Sequence, residues 1–201
     1  MSDVARPARV AIEPEPPELQ ERNAWVGTRM YAAATAFLFL PFVFAYLYLA
    51  SLDTAGMWRP KHLKAPLGWG LAVMVAVVVS AALVAYARSD LGQAHARAVR
   101  AALVGGLVVG VAAVVLQVIE YTQLSFGPTD GGFASVFLGW SGLYALIALI
   151  TLLWLETVVA ADLRARGATG GSRRSEIDAI GFYWSFVAGL GVLTFVFLYL
   201  L

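Results

Sequence analysis

Few side chains in this sequence could do chemistry. It has 2 histidines, His62 and His95, and no cysteine. Without cysteine the chain cannot form a disulfide, a thiolate metal site, an iron–sulfur cluster or a covalent c-type haem link. Both histidines fall in polar connectors between apolar stretches, so we interpret them as solvated loop residues. The sequence therefore predicts no metal site and no catalytic site in this chain.

Two carboxylates stand out because they fall inside apolar stretches: Glu120 and Glu156. A charged group at the centre of a membrane helix costs roughly 2.5–3.5 kcal/mol on insertion scales. We place both near helix ends, where the cost is smaller and the side chain can reach the interface. For Glu156 we expect an ion pair with a nearby arginine. The candidate partners are Arg88, Arg100 and Arg164.

Glu120 has polar neighbours of its own. Gln117 precedes it by one helical turn, and Tyr121 is adjacent. We interpret Glu120 as a structural hydrogen-bond acceptor. A role in a proton or ion pathway remains the alternative.

The composition indicates the elements that must position these residues. Of the 201 residues, 60% are hydrophobic and 13% are charged, against about 45–50% and about 25% in soluble domains. The apolar stretches each have about 20 residues or more, enough to span a bilayer as a helix. They are Thr28–Leu52, Leu67–Ala87, Ala98–Thr122, Phe133–Ala161 and Ile177–Leu201. The sequence thus predicts an all-α integral membrane bundle of five transmembrane helices.

Charge and proline distribution predict the organisation of the chain. Residues 1–24 are rich in Pro and Glu and lack an apolar run, which indicates a disordered or loosely attached polar tail before one membrane domain, 25–201. On the side of this tail lie 11 of the 14 Lys and Arg residues. The positive-inside rule then predicts a cytoplasmic N-terminus and a C-terminus outside. A net charge of +1 gives no case for nucleic acid.

Small residues indicate how the helices pack. Gly106 and Gly110 form a GxxxG pair in the third helix, a spacing that lets helices approach closely in lipid. Packing within the chain is the simpler interpretation, and packing against another subunit is the alternative. The residues alone leave two classes open: a non-catalytic subunit of a membrane complex, or a small transporter or channel.

A more specific signal comes from the order of residues around Glu120. The run Gln117–x–x–Glu120–Tyr121 at a helix end is followed by Asp130–Gly131 and then by Ser141–Gly142–Leu143. The last helix contains Tyr183–Trp184 followed by Ser185–Phe186–Val187. These motifs resemble subunit III of haem–copper cytochrome c oxidases, in its short five-helix bacterial form.

The chain departs from this family at several polar positions. The two family histidines of the fourth helix fall on Tyr144 and Ile147, and the histidine of the fifth helix falls on Ser185. A family tryptophan falls on Gly191. Gln117, Glu120 and Tyr121 are the part of the family's polar motif that this sequence keeps.

The resemblance implies a non-catalytic accessory subunit of a bacterial terminal oxidase in aerobic respiration. Such a subunit stabilises the catalytic subunit I, supports proton uptake and binds phospholipid in a cleft. Haem and copper would belong to partner subunits I and II, and the complex would lie in the bacterial plasma membrane. An accessory or assembly factor of a nitric oxide reductase, and a small stand-alone transporter, remain as alternatives.

Overall fold

The computed structural model describes residues 16–53, 58–59, 63–89, 95–164 and 171–201. Within these ranges the chain forms five long helices and no strand. They are α1 (Pro17–Ser51), α2 (Leu67–Arg88), α3 (Ala96–Thr122), α4 (Gly132–Arg164) and α5 (Gly171–Phe195), and α5 continues into a π-helical turn, Val196–Leu200. All five are long and apolar enough to cross a membrane. The predicted five-helix all-α bundle is confirmed, whereas the side that each terminus faces stays a prediction.

Helix α1 begins well before the apolar stretch that predicts it. It starts at Pro17, a first-turn position where the missing N–H of proline costs nothing. The N–H groups of Leu19 and Gln20 donate to the carbonyl of Pro16 at 3.0 and 3.2 Å. Disorder, one of the two states predicted for the tail, is therefore wrong for residues 17–24, which are helical. Residues 1–15 lie outside the described residues, and the domain boundary at residue 25 stays a prediction.

The polar segment between the fourth and fifth predicted helices is also shorter in the structure. Helix α4 continues to Arg164, and α5 begins at Gly171. Asp162 thereby becomes a buried helical residue, only 3% exposed. Its Oδ2 accepts from the Nε of Arg100 in α3 at 3.0 Å.

A second ion pair lies at the same end of the bundle. The Nε of Arg88, at the end of α2, donates to Oδ1 of Asp178 in α5 at 2.6 Å. The predicted ion pair of Glu156 with an arginine is therefore wrong. Arg88 and Arg100 bind aspartates instead, and the exposed Glu156 forms no ion pair within the part of the chain that the structure describes.

Glycines bring α2, α3 and α4 close together. A Cβ on Gly106 would lie 2.6 Å from Val84 Cγ2 and 3.2 Å from the carbonyl oxygen of Ser80. A Cβ on Gly110 would lie 2.5 Å from Leu152 Cδ2. Both glycines of the GxxxG pair thus face neighbouring helices of the same chain, which confirms the prediction of intrachain packing.

Helix α5 lies between the others. It packs against α1, α2 and α4, while α3 packs against α2 and α4. In contrast, α1 turns large apolar side chains outward, among them Met30, Phe37 and Phe44, each more than 60% exposed. Such a surface is expected where the neighbour is a lipid chain rather than water. The arrangement leaves the ends of α3 and α5 close together at the end of the bundle where α1 ends.

Candidate functional site

Glu120 is fully buried near the end of α3. Gln117 lies on the same face of the helix, because residues three apart are neighbours on a helix surface. The Nε2 of Gln117 donates to Oε2 of Glu120 at 2.7 Å. The other carboxyl oxygen, Oε1, accepts from the hydroxyl of Tyr199. Each oxygen of Glu120 therefore has one donor, and both donors are neutral groups.

Tyr199 reaches Glu120 from the π-helical turn that ends α5. A π-helical turn closes its hydrogen bonds over five residues instead of four, so it changes the direction of the side chains that follow. The Tyr199 ring stacks on Phe195 at 5.2 Å between centroids and meets Phe137 edge-on at 5.5 Å. A Cβ on Gly70 of α2 would overlap this ring. The absence of a side chain at Gly70 thus makes room for the phenol that binds Glu120.

Tyr121 lies beside this site but does not bind the carboxyl group. Its hydroxyl donates to Ser141 Oγ in α4 at 3.1 Å, and Ser141 Oγ donates to the carbonyl of Phe137 at 2.6 Å. This hydrogen bond joins α3 to α4, just as the Tyr199 bond joins α3 to α5. The end of α3 is therefore tied to two neighbouring helices by polar contacts.

The chemistry available at this site follows from its contacts. Among the described residues no cation pairs with Glu120, and no group of three or more His, Asp or Glu side chains could hold a metal ion. His95 is exposed at the start of α3, and His62 lies outside the described residues. A buried carboxyl group with two neutral donors can order the helices around it and can hold or exchange a proton.

Comparison with known proteins identifies the family. The model of the family "Cytochrome c oxidase subunit III" matches residues 19–201, which cover α2 to α5 and all but the first two residues of α1. This chain belongs to the cytochrome c oxidase subunit III family. Membership assigns it the accessory role of an oxidase subunit that assembles with the other subunits of its complex. With its five apolar helices it is a multi-pass membrane protein.

Mammalian and avian relatives extend this result. The chain is 24% identical over 179 residues to cytochrome c oxidase subunit 3 of Rattus norvegicus, covering 86% of this chain and 67% of the rat protein. It is 23% identical over 187 residues to the Ornithorhynchus anatinus protein, covering 90% and 71%. With the Struthio camelus protein the identity is 24% over 166 residues, covering 80% and 63%. The chain thus matches these proteins over most of its length, at a low sequence identity.

At a position where, by the resemblance, the family has a histidine, this chain carries a buried tyrosine. Tyr144 is 4% exposed, and its hydroxyl has no hydrogen-bond partner among the described residues. A Cβ on Gly191 of α5 would overlap this hydroxyl. By the resemblance, Gly191 stands at the position of a family tryptophan. The absence of a side chain at Gly191 therefore makes room for the Tyr144 hydroxyl.

The other two positions to which the resemblance assigns family histidines differ from this one. Ile147 is buried one turn further along α4 and belongs to the apolar core. Ser185 is exposed on α5, and its hydroxyl donates to the carbonyl of Gly181 at 2.7 Å. The structure thus brings Tyr144 to the same cavity as Gln117, beside Glu120, and leaves Ser185 apart from them.

Several polar residues of the interior were not identified from the sequence. Tyr199 is one, and Thr194, which accepts from Trp140 Nε1 at 2.8 Å, is another. A third is Ser80, whose Oγ donates to the carbonyl of Gly106 at 2.6 Å. Hydropathy places serine, threonine and tyrosine in apolar helices without showing which neighbour they face. For Tyr199 the one available signal is topological, since α3 and α5 end on the same side of a five-helix bundle.

Proposed function

We propose that this chain is the accessory subunit III of a bacterial haem–copper terminal oxidase, and that it packs against catalytic subunit I and subunit II in the plasma membrane. The proposal rests on the family match across residues 19–201. Haem and copper would lie in the partner subunits. This chain would support aerobic electron transport and proton translocation by stabilising the catalytic subunit.

The interhelical hydrogen bonds around Glu120 support a structural role in that complex. They fix the ends of α3, α4 and α5 relative to one another through Tyr121 and Tyr199. Helices in lipid have little hydrophobic drive to associate, so interhelical hydrogen bonds and close packing hold them together. A bundle fixed in this way offers its partner subunits a surface of constant shape.

Purification in a mild detergent through a tag on the N-terminal tail tests this function. We expect haem absorbance and an oxidase catalytic subunit, identified by mass spectrometry, to co-purify with the chain. A nitric oxide reductase subunit in its place would favour that complex instead. A chain that purifies without haem absorbance and without other proteins in several detergents would contradict the oxidase proposal. It would favour a transporter if liposomes containing this chain alone show transport that Glu120→Gln abolishes.

We also propose that the subunit binds phospholipid, and a groove between α1 and α5 is suited to it. Its polar end is a cavity of about 240 Å3 whose lining includes Arg29, Arg88 and Asp178. Adjoining it is a more apolar space of about 390 Å3 beside Tyr31 and Trp154. The polar space could bind the charged headgroup of a lipid, and the apolar space could bind its acyl chain.

Arg29 is suited to bind the lipid phosphate. Its guanidinium carbon lies 3.6 Å from the centroid of the Trp25 ring and 4.6 Å from that of Phe182, and its Nη1 donates to the carbonyl of Trp25 at 3.1 Å. In the described part of the chain no carboxylate pairs with it. A guanidinium group has further donors arranged in a fork that fits phosphate oxygens.

The lipid proposal is tested by counting retained lipids with native mass spectrometry. Arg29→Gln should lower the amount of bound anionic phospholipid severalfold after detergent washing. Arg97→Gln is the matched control, because Arg97 is an exposed arginine at the same end of the bundle and does not line the groove. Equal retention in the two variants would contradict binding at Arg29.

A further inference from the structure

The hydroxyl of Tyr144 is an exception among the buried hydroxyls of the described residues. It is fully enclosed and has no hydrogen-bond partner among the residues that the structure describes. Other buried hydroxyls are paired: Tyr183 with Thr35 at 2.8 Å, and Ser80 with the Gly106 carbonyl. Buried polar groups in native proteins almost always have a partner, either in the protein or in an ordered water molecule. The Tyr144 hydroxyl therefore requires an explanation.

A small cavity lies beside this hydroxyl, between α2, α3, α4 and the end of α5. Its lining is part polar and part apolar and includes Gly70, Gln117, Ser141, Tyr144, Thr194 and Tyr199. The volume that the centre of a water molecule can occupy within it is about 20 Å3. One water needs about 10–15 Å3 on this measure, together with two to four polar partners. The cavity has room for a water molecule and is too small for a lipid chain or a hydrated ion.

Gln117 and Thr194 supply further polar partners in this cavity. The Nε2 of Gln117 donates to Glu120, which leaves its Oε1 as an acceptor with two lone pairs. Thr194 Oγ1 accepts from Trp140 Nε1, which leaves its hydroxyl proton to donate. With the hydroxyl of Tyr144, the cavity offers two donors and one strong acceptor.

We propose that one water molecule binds in this cavity, accepts a hydrogen bond from the Tyr144 hydroxyl and donates one to Oε1 of Gln117. The hydrogen bonds then run without a break from Tyr199 through Glu120, Gln117 and the water to Tyr144. The water thereby connects α4 to the carboxyl site of α3 and α5. It gives Tyr144 a polar role at a position where, by the resemblance, the family has a histidine.

The variant Tyr144→Phe tests the proposal, because an unpaired hydroxyl and a hydroxyl bound to water predict opposite changes in the unfolding temperature. Removing an unpaired buried hydroxyl relieves a desolvation penalty and raises the unfolding temperature. Removing a hydroxyl that is paired with a bound water breaks a hydrogen bond and lowers the unfolding temperature. We expect a lower unfolding temperature, measured on the full chain with the subunits that co-purify with it.

Tyr183→Phe is the matched control. It removes a buried hydroxyl with a known partner, Thr35 Oγ1, and so calibrates the loss caused by breaking one such bond. We expect Tyr144→Phe to lower the unfolding temperature by a comparable amount. An unchanged or raised unfolding temperature in Tyr144→Phe would overturn the proposal.

Infrared spectroscopy provides a second readout that a purely structural role of the ring would not change. A single bound water gives an O–H stretching band that shifts when the sample is prepared in water containing oxygen-18. We expect this band in the unmodified chain and in Tyr183→Phe, and its loss in Tyr144→Phe. An identical isotope-sensitive spectrum in all three proteins would refute the water site, even if Tyr144→Phe were less stable.

Discussion

The hydroxyl of Tyr199 donates to Oε1 of Glu120 across 79 positions of sequence. This hydrogen bond joins the π-helical turn after α5 to the last turns of α3. It also determines the surroundings of a carboxyl group that is fully enclosed by the bundle.

Tyr199→Phe should destabilise the protein. The change leaves Oε1 of a buried carboxyl group without its donor, which costs about 1–3 kcal/mol of unfolding free energy. Unfolding of the detergent-solubilised protein would measure this loss. Tyr48→Phe is the control, since Tyr48 is an exposed tyrosine of α1, and it should change stability by less than about 0.5 kcal/mol. Equal losses in the two variants would contradict a specific role of the Tyr199 bond.

Glu120→Gln should assemble normally and keep most oxidase turnover. Glutamine retains one side-chain oxygen that can accept from Tyr199 or Gln117, so a structural acceptor is largely replaced. The measurements are the yield of intact complex, its turnover and its proton uptake. A collapse of proton uptake in a fully assembled complex would show instead that the carboxyl group takes part in proton transfer.

Gly110→Ala should destabilise the bundle, whereas Gly142→Ala should not. A Cβ at Gly110 would lie 2.5 Å from Leu152 Cδ2 and 3.0 Å from Ser80 Oγ, while at Gly142 it would meet nothing within 4 Å. Overpacking of this kind costs about 1–3 kcal/mol. Both changes gain the same helix propensity, so the difference between their unfolding free energies isolates the packing. A difference near zero would mean that α3 can shift freely in its packing.

The two ion pairs at the opposite end of the bundle should differ in strength. Asp162 is buried, with its side chain 2% exposed, whereas the side chains of Arg88 and Asp178 are 35% and 42% exposed. Exposed pairs contribute about 0–1 kcal/mol. Double-mutant cycles with Arg100→Gln and Asp162→Asn should give a coupling energy above that range, and cycles with Arg88→Gln and Asp178→Asn one within it. The reverse order would show that burial does not govern these pairs.

The five helices could be predicted from hydropathy because each carries a long apolar run. The start of α1 could not, since Glu18 and Gln20 are good helix formers that add no hydrophobicity. Asp162 fell into a predicted connector for the same reason, because a charged residue ends an apolar run without ending the helix. In both places the backbone continues on intrahelical hydrogen bonds after the apolar signal has stopped.

At the candidate site, only contacts between residues close in sequence could be predicted from the sequence. The spacing of Gln117 and Glu120 is enough to place them together on α3, because it depends on helix geometry alone. The contact of Glu120 with Tyr199 depends on the rotation of α5, its π-helical turn and the absence of a side chain at Gly70. Those are properties of the packed bundle, and no local pattern in the sequence encodes them.

The length of α1 has a mechanical consequence. Its 35 residues make a rod about 52 Å long at 1.5 Å per residue, while the hydrocarbon core is about 30 Å thick. Fitting the whole rod into the core would need a tilt well beyond the 0–40° range seen for membrane helices. Part of α1 must therefore stand outside the core. If Trp25 marks the interface, residues 17–24 form a helical extension about 12 Å long outside the hydrocarbon core.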